Sequence, residues 1–338
     1  MCNEFWVRPE DVHSPVIVSL HVGGLGDRLM TVPAMQALDT VFPGKLTVIC
    51  DDIYNRDVYA GLNLRRVVEF RHGQEPKALE DLKKLTTLLA GCDVIIFFDT
   101  VDASANRELA SMLQPCCTVS LWSWSKHVPL IHGETPNRVD RMFSLAQVFD
   151  PSLRLECYAR PCFSPLFYDR AQQIRKMLPS EFRVLAVHAD TTDMRVHPKM
   201  FCLPSLRASL DLFLDNNEDY VVFLLGWEDV GIRTIRNSDR VISCLQLPFP
   251  IQCCLAGIAD AFVGFDSCYL HAADLFQVPG VGLFGPTDPR QWGFRFSPHK
   301  HLEATNGDLN PTEIFEALET IKQLAKSEIC NASHASYK

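Results

Sequence analysis

The chain has 338 residues, 47% hydrophobic and 22% charged, so it is globular and long enough to split into two domains. Its formal net charge is −9. Residues 1–150 carry 14 basic and 19 acidic side chains and the remainder 18 and 22, which leaves neither half an overall basic surface and argues against nucleic-acid or anionic-membrane partners.

In chain order, the first half alternates short apolar runs with helical segments. The runs are "PVIVSL" (15–20), "KLTVIC" (45–50), "RRVVEF" (65–70), "DVIIFF" (93–98) and "CCTVSL" (116–121). Continuous runs of this kind suit strands buried on both faces, and segments such as "PKALEDLKKLTTLLA" (76–90) between them make the pattern βαβ with a parallel sheet. The helix "RVDRMFSLAQVF" (138–149) closes this half, and 150–165, with three prolines, reads as the linker. The alternation restarts with "RVLAVHA" (183–189), "YVVFLLG" (220–226), "RVISCL" (240–245), "AFVGF" (261–265) and "GVGLFG" (280–285), a second doubly wound sheet. A last helix over 311–326 carries Ile314, Phe315, Leu318, Ile321 and Leu324 on one stripe, which is expected to cross the domain junction, and 327–338 reads as a flexible tail.

The domains expected are therefore 1–165 and 166–326, with ligand-facing loops at the carboxyl ends of both sets of strands. After the first strand, Gly23, Gly24 and Gly26 let backbone approach a ligand, and Asp27 stands at the mouth of a helix. Pro33 suggests that this helix begins near Thr31 and leaves Asp27 on a loop. An acid favoured at a helix start is the plainer reading of Asp27. The glycines complete neither a dinucleotide fingerprint nor a P-loop.

The second half opens with "VHADTTDMRVHPKMF" (187–201), in which Thr191, Thr192 and Asp193 precede Arg195, His197 and Lys199. Arg195 is able to hold a diphosphate with two hydrogen bonds, or is a solvated loop charge. Glu228, two residues past Gly226, suits a ribose diol or the first turn of a helix. Asp266 and Ser267 cap a helix carrying His271, and free amides there and in the Gly285 to Thr287 turn would form an anion-binding corner. Asp266 as a mere cap and His271 as a satisfied helix histidine remain the alternatives.

No run reaches the roughly 18 apolar residues of a membrane span and the N-terminus has no signal-peptide pattern, which points to a cytoplasmic protein with at most peripheral membrane contact. Thirteen cysteines without a C-x-x-C spacing read as buried thiols rather than disulfides or a zinc site. The pairs Cys116-Cys117 and Cys253-Cys254 would face opposite sides if they lie in strands.

Taken together, "GGLGDRLMTVPAMQAL", "VDR" (139–141), "HADTTDMRVHP" and above all "VGFDSCYLHAADLFQVPGVGLFGPTDPRQWG" (263–293) resemble glycosyltransferase family 9, the ADP-heptose lipopolysaccharide heptosyltransferases and their relatives. The resemblance implies a GT-B fold: two facing Rossmann-like domains with a cleft between them, donor in the C-terminal one and acceptor in the N-terminal one. It implies inversion without a metal and no cofactor, a nucleoside-diphosphate sugar, ADP-linked by preference, being the co-substrate. By the same resemblance Asp27 matches the catalytic base and Arg195 a phosphate-binding lysine. Glu228 matches the ribose acid, and Asp266, His271, Pro286 and Thr287 match the donor pocket, with Thr191, Thr192, Ser267 and Cys268 beside the diphosphate.

Departures stand in the same motifs. Cys268 replaces the glycine of the family's Asp-Thr-Gly, Asp274 a usual small residue, and His197 a tryptophan before proline. The acceptor is open between lipopolysaccharide core, another glycan, a small molecule and a protein. Trp122, Trp124, Lys126, His127 and His132 in "LWSWSKHVPLIHGETPN" (121–137) suit stacking on it, together with Gly24 and Gly26, or simply make a surface loop. A non-catalytic nucleotide-sugar-binding or scaffold protein on the same fold is the rival, and an oxidoreductase is disfavoured by the incomplete glycine fingerprint.

Overall fold

The structure, a computed structural model, describes residues 7–19, 24–50, 54–70, 78–98, 104–114, 117–123, 125–126, 128, 137–190, 202–304 and 308–335. It divides into two compact units, Met1–Phe163 and Ser164–Lys338.

In the first unit five strands alternate with helices: β1 (Pro15–Ser19), α1 (Leu25–Val41), β2 (Thr47–Cys50), α2 (Tyr54–Val58), β3 (Arg66–Glu69), α3 (Ala78–Leu88), β4 (Val94–Phe97), α4 (Ser104–Leu113), β5 (Cys117–Val119) and α5 (Arg138–Gln147). All pair in parallel, in the order β3-β2-β1-β4-β5. β1, β2, β4 and β5 are buried at every residue, as the unbroken apolar runs require, and β3 at the edge is only half-buried. One face packs Val16, Val18, Ile95 and Phe97 with Leu85 and Leu89 around α3 and Leu109 of α4.

The second unit runs α6 (Pro165–Lys176), β6 (Arg183–His188), α7 (Leu203–Asn216), β7 (Tyr220–Leu225), β8 (Val241–Ser243), α8 (Phe249–Gly257), β9 (Ala261–Phe265), α9 (Cys268–Leu275), β10 (Gly280–Phe284), α10 (Pro289–Trp292), β11 (His299–Glu303) and α11 (Pro311–Ala335). Its six parallel strands are ordered β11-β10-β9-β6-β7-β8. Both sheets thus reverse direction beside their first strand, at β1/β4 and at β6/β9, and ligands of such sheets bind at the carboxyl ends there.

Four elements differ from the sequence reading. α1 begins at Leu25, not near Thr31, and Pro33 lies inside it. The proline forfeits one hydrogen bond and crowds the preceding turn, but Leu29, Met30, Val32, Ala34, Met35 and Leu38 are buried, and that apolar face sustains the helix. Asp27 therefore sits in the first helical turn rather than on a loop. Cys253 and Cys254 lie in α8 and not in a strand, and both are buried.

β11 was not anticipated, because "HKHLE" is a polar edge strand paired on one side only, without an apolar run to announce it. Finally, the stripe of α11 is buried within the second unit's own core, where Ile314, Leu318 and Ile321 join Val281 and Leu283, while Leu324 is exposed. Burying each of those three side chains is worth about 1.5–3 kcal/mol, which accounts for the helix. The helix also continues to Ala335, through most of what reads as a tail.

Candidate functional site

Several strand exits carry buried polar atoms. Ser19 Oγ at the end of β1, His188 Nδ1 at the end of β6, Trp122 Nε1 just beyond β5 and Thr287 Oγ1 just beyond β10 are sealed from solvent without a hydrogen-bond partner. A native fold leaves few such atoms, and each asks for an explanation such as a ligand.

In the first unit Gly24 is the N-cap of α1, and Asp27 follows in its first turn, half-buried, where the helix dipole favours a negative charge. α5 packs against α1, starting from an Asn137 cap whose side chain accepts the Val139 amide at 2.9 Å. This brings Arg138 near Asp27. Burial, then the neighbouring Arg141, pulls the Arg138 guanidinium below its ordinary pKa, and the Asp27 carboxylate pushes it back up.

The segment after β5 is a tight turn. Ser120 Oγ accepts the Trp122 amide at 3.0 Å, the Trp122 carbonyl accepts the Ser125 amide at 3.1 Å, and Thr118 Oγ1 accepts the Lys126 amide at 2.9 Å. Trp122 is thereby half-buried and Lys126 exposed. Trp124, His127 and His132 lie outside the described residues, as do Gly23, Thr191, Thr192, Asp193, Arg195, His197 and Lys199.

In the second unit β10, β9, β6 and β7 are parallel neighbours, so their exits lie along one edge of the sheet. Gly264 in β9 faces the end of β6 so closely that a Cβ there would lie 2.6 Å from the His188 carbonyl oxygen. The His188 ring, 5% exposed, sits 4.7 Å from the Tyr269 ring, and burial pushes its pKa down to about 3, so the imidazole is neutral. Asp190 Oδ2 then accepts the amides of Trp227 and Glu228 at 3.2 and 3.0 Å. Glu228 is exposed on this bend beyond β7, not in the first turn of a helix, so its carboxylate is available to a ligand.

Asp266 directly follows β9, and Ser267 caps α9 by accepting the Leu270 amide at 3.5 Å. His271 Nε2 stands 3.6 Å from Asp266 Oδ1, both side chains buried. Cys268 heads α9. Burial first, with the carboxylates of Asp266 and Asp190 adding to it, pushes its thiol up to about 12 against the opposing amides of Cys268 and Tyr269. It is a neutral thiol lying against the helix's leading amides, not a nucleophile. Gly285 and Pro286 are exposed and Thr287 half-buried, while Asp288 caps α10 and binds Arg290 through two oxygens.

Asp274 has a separate task. From within α9 it accepts the amides of Arg295, Phe296 and Ser297 at 2.8, 2.8 and 3.1 Å and the Ser297 hydroxyl at 3.0 Å. An acid at this position is therefore explained by the 295–297 loop that it pins.

Asp190, His188, Arg138 and Gln252 were not singled out from sequence. Asp190 adjoins the strand run "RVLAVHA", but its partners lie 37 and 38 residues away and nothing local reveals them. Among the described residues no group of three or more His, Cys, Asp or Glu is placed to hold a metal, and no helix is long and apolar enough to cross a membrane.

Residues 251–323 match the family model for glycosyltransferase family 9 (heptosyltransferase), which bears out the resemblance read from the sequence over the segment holding Asp266, Ser267, His271 and Thr287. A glycosyl transferase family 9 structure from Veillonella parvula is 12% identical with a TM-score of 0.72, over 92% of this chain and 98% of that one. E. coli ADP-heptose lps heptosyltransferase II is 14% identical with a TM-score of 0.68, over 93% and 99%. E. coli heptosyltransferase WaaC, solved with ADP, is 16% identical with a TM-score of 0.63, over 91% and 99%. No curated protein matches the chain by sequence. At such identities the likeness shows the fold, a two-domain Rossmann-like GT-B architecture.

Proposed function

We propose that the chain is a glycosyltransferase that moves a sugar, heptose or a relative, from a nucleoside diphosphate to an acceptor hydroxyl. The observation that carries this reading is a coincidence of place. The segment that matches the family model is the one that builds the carboxyl ends of β9 and β10, where the fold is expected to hold a nucleotide.

In this reading the second unit binds the donor. Glu228 takes the ribose hydroxyls, while the first amides of α9 and the turn at Pro286 and Thr287 face the diphosphate, joined by Thr191, Thr192 and Arg195. Asp27 is the base. It takes the proton of the acceptor hydroxyl as that oxygen bonds to the anomeric carbon, and the bond from that carbon to the diphosphate breaks with inversion. The leaving nucleoside diphosphate gains charge, which dipoles fixed in advance stabilise without reorganisation. The sugar is held without a metal, a feature taken from the family resemblance alone. Trp122 and Lys126 are candidates for the acceptor side, and the acceptor is a glycan such as lipopolysaccharide core, a small molecule or a protein.

The test is release of nucleoside diphosphate from ADP-, GDP- and UDP-sugars, dependent on an acceptor panel. General-base assistance contributes about 10²–10⁴ in rate, so Asp27→Asn is expected to lose at least a hundredfold in kcat while nucleotide affinity holds. Near-normal turnover by Asp27→Asn would remove the base assignment. Nucleotide binding with no transfer to any acceptor would make the chain a binding protein.

A further inference from the structure

The loop leaving β7 joins a rigid backbone to an exposed ring. Gly226 has φ +126°, and a Cβ there would come within 3.3–3.4 Å of the His188 ring. Gln252, 1% exposed, accepts the Gly226 amide at 2.6 Å and donates to the Gly226 and Leu247 carbonyls at 3.2 and 2.7 Å. Asp190, 8% exposed, accepts the next two amides. Every amide from 226 to 228 is thus held by a buried side chain.

On this fixed backbone the Trp227 side chain is 60% exposed. No aromatic ring among the described residues stacks on it. An exposed apolar residue by itself is ordinary, but an indole held out in water on a loop organised by two buried polar side chains is not explained by packing. Its place in the sheet supplies the reason. β7 flanks β6 on the side away from the reversal of strand order, and the end of that second strand is where dinucleotide folds set an acid on the adenosine ribose. Glu228 is the acid here, and the base attached to that ribose comes within reach of the adjoining residue.

We propose that the Trp227 indole is the stacking surface for the donor's nucleobase and favours purine over pyrimidine nucleoside diphosphates. The inference rests on the donor reading above and adds to it a residue that sets specificity. A preformed aromatic face costs little ordering entropy, and stacking tolerates either purine while gaining from its larger ring.

The test uses the full chain and three probes: ADP, UDP and inorganic pyrophosphate, titrated by calorimetry against wild type, Trp227→Ala and Trp227→Phe. Trp227→Ala is expected to raise the ADP dissociation constant about tenfold, equivalent to about 1.4 kcal/mol, to narrow the ADP/UDP ratio and to leave pyrophosphate unchanged. Trp227→Phe should recover most of the ADP affinity. If wild type binds ADP and Trp227→Ala binds it equally well, the stacking role is wrong while the donor reading stands. A parallel loss of ADP and pyrophosphate in Trp227→Ala would show a merely structural role and also overturn it. Wild type that binds no nucleoside diphosphate would sink both.

Discussion

Asp190 Oδ2 accepts the Glu228 main-chain amide at 3.0 Å, tying the exit of β6 to the exit of β7. The same oxygen takes the Trp227 amide at 3.2 Å. Replacing Asp190 by alanine leaves two amides without this acceptor, at about 1–3 kcal/mol each where they stay dry. Asp190→Ala should lower stability by roughly 2 kcal/mol in urea melts and weaken nucleotide binding, because Glu228 loses its fixed position. Unchanged stability would mean that water replaces the carboxylate at no cost.

Asp274 should matter for stability before it matters for binding. Asp274→Ala strands three amides and a hydroxyl and is expected to cost about 3–5 kcal/mol. Asp274→Asn keeps one oxygen acceptor and should cost about 1–3 kcal/mol. Burial raises the Asp274 pKa despite these bonds, so its ionised form is a burden on the folded state above that value. As pH falls through the raised pKa toward the ordinary carboxylate value of 3.8, the folded protein takes up the proton first, and this group's contribution to stability rises. Loss of folding on Asp274→Asn as severe as on Asp274→Ala would show that the charge itself is indispensable.

His188 has the opposite sign. Its pKa falls from 6.5 to about 3, so below 6.5 the unfolded chain binds a proton that the folded chain refuses. Stability is full above 6.5 and is lost as pH falls toward 3, at up to about 1.4 kcal/mol per unit. His188→Phe keeps a ring against Tyr269 and removes the titration, so stability against pH should flatten in that window while stability at pH 7 changes little. An acid limb as steep as that of wild type would assign the effect to other groups.

Gly264→Ala tests the close approach at the strand reversal. The added Cβ would meet the His188 carbonyl oxygen at 2.6 Å, and a main-chain atom inside a sheet cannot step aside cheaply. A loss of about 1–3 kcal/mol is expected, read from the thermal midpoint, with weaker nucleotide binding alongside. An alanine variant as stable as wild type would show that β6 and β9 separate more easily than their pairing suggests.

The sequence by itself determined the two doubly wound sheets. A parallel strand covered on both faces must be apolar throughout, so runs such as "VIIF" and "VVFLL" announce themselves, and β11 escaped because an edge strand has no such need. It also offered Asp27, Glu228, Asp266 and His271 as candidates, since polar residues directly after buried runs fall at strand exits. Only the tertiary structure decided which of them have company. Asp266 meets His271 only five residues on, a pairing local enough to read, whereas Asp27 gains Arg138 from a helix more than a hundred residues away. Asp190 reaches Trp227 and Glu228, Gln252 holds Gly226, and Asp274 holds the 295–297 loop. Strand formation follows from local pattern and burial, but the partners of a buried polar atom are set by which distant backbone arrives beside it, and that is fixed only when the sheet assembles.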